Sequence, residues 1–181
     1  MGRLPGRSDR SLPMSILEVR RHAERGLSTP LSERGEATAR AIAGVDYALV
    51  VSSPLERAKR TAELVGGRLD AVEPGLLPDI GGAGVFGAMD TLADWRALLR
   101  SDPKAREFAH EQLATWARLA GRVGPKELVL AISHGGIIEL PIVALADELG
   151  VAMDGPSFAN LEGARITYDR KKRTRLELLR G

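Results

Sequence analysis

With 181 residues, 44% of them hydrophobic, the chain is long enough for one domain that buries about 70% of its unfolded surface. Lys and Arg (26) barely exceed Asp and Glu (24), and the excess of +2 is carried by the first thirteen residues, where Arg3, Arg7 and Arg10 face only Asp9; the neutral remainder gives no argument for a nucleic-acid partner. The absence of cysteine excludes thiol catalysis, disulfides and zinc–thiolate sites and fits a cytoplasmic protein, and no apolar run approaches the ~20 residues needed to cross a membrane.

Residues 1–13 combine two prolines, two glycines and interspersed charge without an apolar core, so they read as a disordered leader rather than a signal peptide, with Met14 as an alternative start. The folded domain then spans 14–181. Ile16, Leu17 and Val19 make a short buried strand that runs straight into Arg20-Arg21-His22-Ala23-Glu24. In an open α/β sheet, ligands bind beyond the carboxyl ends of the strands. His22 is therefore presented to a ligand, with Arg21 beside it as fixed positive charge. A phosphate suits this pair, because an imidazole attacks phosphorus while a guanidinium holds the non-bridging oxygens.

A turn-rich loop, Arg25–Leu31, leads to Ser32 and Glu36, which cap a helix through Ala37–Ala43 that ends at Gly44. Tyr47–Val51 is a second buried strand and ends in Ser52-Ser53-Pro54, with Pro54 expected in the first turn of the following helix. Arg57 stands one turn past this strand end, near helix amides that also favour anions, whereas Arg60 reads as part of a solvated face. Residues 66–91 are irregular. Their Gly81-Gly82-Ala83-Gly84 run lacks the Gly-Lys-Ser/Thr of a nucleotide loop and is expected to form a flexible rim of the site.

Leu92–Leu99 and Arg106–Val123 read as amphipathic helices separated by Ser101-Asp102-Pro103, with Trp95 and Trp116 in the core and His110 on the surface. Leu128–Ile132 is a third buried strand. It ends in Ser133-His134-Gly135-Gly136 before a helix through Ile142–Leu149, with Pro141 either in its first turn or kinking it, again an anion-binding geometry. Arg165–Tyr168 and Arg175–Leu178 alternate as a closing hairpin whose basic tip reads as a solvated turn.

Three strand ends thus carry Arg21-His22, Ser53-Pro54 with Arg57, and Ser133-His134. These stretches resemble the motifs of the histidine phosphatase superfamily, the phosphoglycerate mutase-like family. Arg21-His22-Ala23-Glu24 is similar to its Arg-His-Gly-Glu, Pro30–Gly35 to its Pro-Leu-Thr-x-x-Gly, Ser53–Ala62 to its Ser-Pro-x-x-Arg-Ala-x-x-Thr-Ala, and Ser133-His134-Gly135 to its second histidine.

The resemblance implies a three-layer α/β/α sandwich around a mostly parallel sheet, with a small helical insertion at about 92–123 over the active site and a C-terminal β-hairpin. It implies that His22 becomes a phosphohistidine while Arg21, Arg57 and His134 bind the phosphoryl oxygens. Ser28 and Gly135 join the substrate pocket, and Asp79, in Leu77-Pro78-Asp79, takes the place of the usual glutamate acid. The expected activity is a phosphatase acting on a phosphomonoester without metal or other cofactor, on a small phosphorylated substrate or a phosphoprotein, with no nucleic-acid or membrane partner.

Within the family, the phosphohistidine-protein phosphatases and the mutase-type phosphotransferases are the alternatives. Outside it stand a metal-dependent hydrolase using both histidines and a weakly catalytic phosphate-binding module. Ala23 departs from the family glycine. Arg20 replaces an apolar strand residue, which places that strand near an edge or Arg20 against substrate.

Overall fold

The computed structural model describes residues 14–77, 89–169 and 172–181. The leader, Asp79, the glycine run 81–84 and the hairpin tip at 170–171 lie outside the described residues. In chain order the elements are β1 (Met14–Arg21), α1 (Glu33–Ala41), β2 (Leu49–Ser52), α2 (Glu56–Gly66), β3 (Ala71–Val72), a 3₁₀ turn (Pro74–Leu76), α3 (Leu92–Ser101), α4 (Pro103–Ala120), β4 (Leu128–Ser133), α5 (Glu139–Leu149), β5 (Gly163–Asp169) and β6 (Lys172–Leu179).

The six strands form one sheet in the order β3-β2-β4-β1-β5-β6. β1, β2, β3 and β4 run parallel, and β5 turns back antiparallel against β1 and pairs with β6 as the closing hairpin. Side chains alternate across the sheet, so each strand serves two cores. Leu17, Val19, Val51, Val129 and Ala131 pack against α3, α4 and α5, with Trp95, Phe108, Leu113 and Trp116 filling that layer. Val50, Leu130 and Ile132 face the opposite way and meet Ala39 of α1 and Ala58, Ala62 and Val65 of α2. The segment expected as the helical insertion is α3 and α4, and Trp95 of α3 lies at the edge of the His134-Gly135-Gly136 turn.

Three element boundaries differ from the sequence reading for local reasons. Ser32 does cap α1, accepting from the Gly35 amide, but the helix begins at Glu33 and closes at Ala41, before Gly44. Pro54 lies ahead of α2: the first helical bonds, Ala58 N–H and Lys59 N–H, both return to the Leu55 carbonyl. Asp102 does separate the two helices, but α4 begins at Pro103 and not at Arg106, since Asp102 accepts from Lys104 N–H and Pro103 sits where no amide donor is required.

Arg20 is neither on an edge nor at the ligand, because β1 is enclosed by β4 and β5 and the guanidinium has other partners. Its Nε donates to Glu18 at 2.6 Å and its Nη1 to the Leu161 carbonyl at 2.6 Å. Glu18 is fully buried on the α1/α2 side of β1 and also accepts from Arg165 Nη2 (2.7 Å) and Tyr47 OH (2.8 Å). These donors hold its carboxyl below the usual range against the opposing effect of burial. Glu18→Ala would leave two cations and a phenol without their shared acceptor, and should cost about 3 kcal/mol, read as a lowered urea midpoint with unchanged slope.

Candidate active site

The parallel register of β1 and β4 sets Arg21 opposite Ser133, and the ladder continues one step beyond the strands as His22 N–H donates to the Ser133 carbonyl at 2.9 Å. His22 and His134 therefore leave the sheet side by side, their ring centroids 5.1 Å apart. β2 ends next to β4, with Ser53 N–H on the Ile132 carbonyl, so α2 starts at the same edge and brings Arg57 to the two rings.

Arg57 lies between the imidazoles, with Nε donating to His22 Nε2 at 3.0 Å and Nη2 to His134 Nδ1 at 3.3 Å. A guanidinium can only donate, which assigns both ring nitrogens as acceptors. The other nitrogen of each ring carries the proton: His22 Nδ1–H donates to the Ala23 carbonyl at 2.7 Å, and His134 Nε2–H to Ser53 Oγ at 2.6 Å. Both imidazoles are thus neutral, and the Nε2 lone pair of His22 points into the site.

Burial is the largest cause of that neutrality. It pushes His22 down to about 4, with Arg57, Arg21 and Arg25 adding to the effect against the bond to Ala23, and it pushes His134 down to about 3, helped by His22, Arg57 and Arg21. The arginines are secondary to burial in both cases.

Arg21 is braced from behind. Its Nη1 donates to the Phe158 carbonyl at 2.8 Å, and its buried Nε has no hydrogen-bond partner among the described residues. Gly135 passes close above this guanidinium: a Cβ there would come within 2.8 Å of Arg21 Cζ, so a side chain at this position would have to displace the guanidinium. The Gly136 amide, at φ +83, donates to buried Glu139 at 2.8 Å and fixes the turn to the start of α5.

These groups line a cavity of about 400 Å³, which Glu24, Arg25 and Asn160 complete. Of the residues selected from sequence, Arg21, His22, Arg57, His134 and Gly135 converge on it. Ser28 does not: it is exposed in the loop before α1 and is not among the lining residues. Asp79 lies outside the described residues. Arg60 turns away to Glu36 (2.9 Å) and Glu63, in keeping with its reading as a solvated-face residue.

Sequence reasoning missed four contributors. Ser53 holds the His134 ring, Thr61 accepts from Ala23 N–H at 3.0 Å while donating to the Arg57 carbonyl, Asn160 Nδ2 donates to the His22 carbonyl at 2.9 Å, and Arg25 borders the cavity. Ser53 and Thr61 sit inside quoted motifs, but only the contacts give them their work. Asn160 follows Gly155-Pro156-Ser157, a stretch with no periodicity and no chemical signature. Ala23 is fully buried against the α1/α2 core, so its methyl is used in packing.

A family model of the histidine phosphatase superfamily (branch 1) matches residues 17–179. The chain belongs to that superfamily. Among solved structures it is similar to phosphoserine phosphatase from Entamoeba histolytica in complex with 3-phosphoglyceric acid, at 15% identity and a TM-score of 0.61, covering 92% of this chain and 97% of that one. It is also similar to phosphoglycerate mutase from Bacillus anthracis (19% identity, TM-score 0.58, covering 92% and 93%). A third is the alpha-ribazole phosphatase from Shigella flexneri (22%, 0.54, covering 92% and 96%). No curated protein sequence matches the chain. Among the described residues no helix is long and apolar enough to cross a membrane.

The depressed histidines have a measurable consequence. Unfolded imidazoles titrate near 6.5 and these near 4 and 3, so between those values the unfolded chain binds more protons than the folded one. The stability tied to these rings is complete above pH 6.5 and is lost as pH falls towards 4. Urea midpoints should drop over that interval, and imidazole ¹⁵N shifts should report both rings neutral at pH 5.5.

Proposed function

We propose that the chain is a phosphatase that hydrolyses a small phosphomonoester through a phosphohistidine on His22, without a metal ion. The observation that carries this reading is the position of Arg57 between two neutral imidazoles, with Arg21 alongside. The site has a nucleophilic lone pair and a surplus of fixed positive charge, which is what in-line displacement at a dianionic phosphorus requires.

In the proposed reaction the phosphoryl oxygens take the guanidinium hydrogens of Arg21 and Arg57, and Arg57 turns from His22 Nε2 to the anion. The freed lone pair attacks phosphorus as the ester P–O bond breaks and the leaving oxygen takes a proton. The phosphoryl charge favours protonation of His134, which then donates from Nδ1. The Nδ1–H bond from His22 to the Ala23 carbonyl keeps the attacking nitrogen in the correct tautomer and supports the positive ring as the N–P bond forms. Water then cleaves that bond, returning His22 and releasing inorganic phosphate. Asp79 supplies the leaving-group proton and, in the second half, activates the water.

His22→Ala should lower turnover at least about 10⁴-fold with an unchanged circular dichroism spectrum. Rapid quench in EDTA should trap acid-labile, base-stable phosphate on wild type alone. No label and no turnover on any ester would favour a binding module, and turnover restored only by added metal would favour a metal-dependent hydrolase. Arg57→Ala should weaken inorganic phosphate binding by about 30- to 100-fold, the loss of two charge-assisted hydrogen bonds, while Arg60→Ala changes it less than about twofold.

Asp79→Asn should reduce kcat on alkyl phosphates by about 10²-fold or more and barely affect aryl phosphates with good leaving groups. Equal losses on both would remove Asp79 from the acid role.

A further inference from the structure

Arg21 and His22 leave the sheet at the end of β1, and residues 158–162 meet them there from a second direction. The Phe158 carbonyl accepts from Arg21 Nη1 at 2.8 Å, and Asn160 Nδ2 donates to the His22 carbonyl at 2.9 Å. The next amide of the same peptide, Ala23 N–H, donates to Thr61 Oγ1 at 3.0 Å. The plane of the His22–Ala23 peptide is thus clamped at both ends. Ala23 also supplies the carbonyl that takes His22 Nδ1–H, so the clamp governs the bond on which the tautomer of the attacking ring depends.

Residues 158–162 lie between α5 and β5, outside both elements, and Asn160 is itself exposed. Its neighbour Leu161 has φ +65, a conformation that a residue with a Cβ keeps only where its surroundings impose it. The Leu161 side chain packs in the α1/α2 core, which fixes where the residue sits. Two hydrogen bonds fix how its backbone is turned: Leu161 N–H donates to the Arg21 carbonyl at 3.1 Å, and the Leu161 carbonyl accepts from Arg20 Nη1 at 2.6 Å. The second is the shorter, and it is charge-assisted.

Arg20 is aimed at that carbonyl from below. Its Nε donates to Glu18 at 2.6 Å, and fully buried Glu18 is held in turn by Tyr47 OH at 2.8 Å and Arg165 Nη2 at 2.7 Å. A planar guanidinium with one nitrogen on a fixed carboxylate presents its remaining hydrogens in a fixed direction. Arg20 is not among the residues that line the active-site cavity. We infer that Arg20 is a positioning residue for the nucleophile: through the Leu161 carbonyl it sets Asn160 on the His22–Ala23 peptide, and so ties the buried Glu18 cluster to the attacking ring. This rests on the phosphatase reading, in which His22 Nε2 is the attacking atom.

Two variants separate this work from the stabilising work of the same cluster. Arg20→Met and Arg165→Met each take one cation from Glu18, so both should lower the urea midpoint. Only the first also frees Leu161. In single-turnover rapid quench with p-nitrophenyl phosphate, His22 phosphorylation should slow about 10- to 100-fold in Arg20→Met, the effect of a small misplacement of a reacting group, and less than about threefold in Arg165→Met. Imidazole ¹⁵N spectra of the free protein should show His22 as the single Nδ1–H tautomer in wild type and Arg165→Met, and as a mixture of tautomers in Arg20→Met. Asn160→Ala, at an exposed position, should give the same mixture with an unchanged urea midpoint.

Should Arg20→Met fail to fold, Glu18→Gln/Arg20→Met removes the buried anion together with the cation, and its comparison with Glu18→Gln should show the same contrast. Equal slowing in the paired variants, or a single His22 tautomer in all of them, overturns the inference. Failure of the phosphatase reading looks different: wild type forms no phosphohistidine on any ester, while the tautomer contrast between Arg20→Met and Arg165→Met remains.

Discussion

The parallel pairing of β1 with β4 is the constraint from which the site follows. Because the ladder extends past the strands, with His22 N–H on the Ser133 carbonyl, two histidines more than a hundred residues apart in the chain must emerge as neighbours. β2, on the far side of β4, adds its own strand end at the same edge and so fixes where α2 begins. Arg57 has nowhere else to go. A shift of one residue in the β1–β4 register would put His22 opposite a different face of the sheet and dismantle the cluster.

Electrostatics and packing work in the same direction here. Two imidazoles beside guanidiniums would be costly if charged, and burial keeps them neutral. The neutral form in turn needs its protons placed, and the Ala23 carbonyl and Ser53 Oγ do that. On the other face of β1, a different solution is used for buried charge: Glu18 is surrounded by two arginines and a tyrosine, so the strand carries a satisfied ion cluster on one side of the sheet and an apolar core on the other. Arg20, which looks out of place in a strand pattern, belongs to that cluster and not to the ligand.

Much of this was legible in the sequence because the decisive residues come immediately after strong apolar strands. Leu17-Val19, Leu49-Val51 and Leu128-Ile132 each announce a strand, and the polar residues that follow each one have no packing explanation. What was not legible lies where the pattern is silent. Pro54 and Pro103 are both proline near a helix start, yet one precedes the helix and the other opens it, a difference set by which carbonyl the next amides choose. Ser28 has the right residue type in the right loop, but the loop directs it to solvent. Asn160 stands in a stretch without periodicity, and its contact with the His22 carbonyl depends on a fold in which residues 158–162 return to the end of β1.

That return has its own signature. Leu161 adopts φ +65, a left-handed conformation that costs a side chain with a Cβ about 1–2 kcal/mol. It holds the conformation because the loop is stitched to β1 and the site: Leu161 N–H to the Arg21 carbonyl, its own carbonyl to Arg20, the Phe158 carbonyl to Arg21, Asn160 to His22. The β1–β4 ladder sets where Arg21 and His22 emerge, and this segment braces both from the other side. The segment is also anchored in the hydrophobic layers, Phe158 in one and Leu161 in the other, so the packing that holds the sheet also holds the brace behind the two reactive side chains.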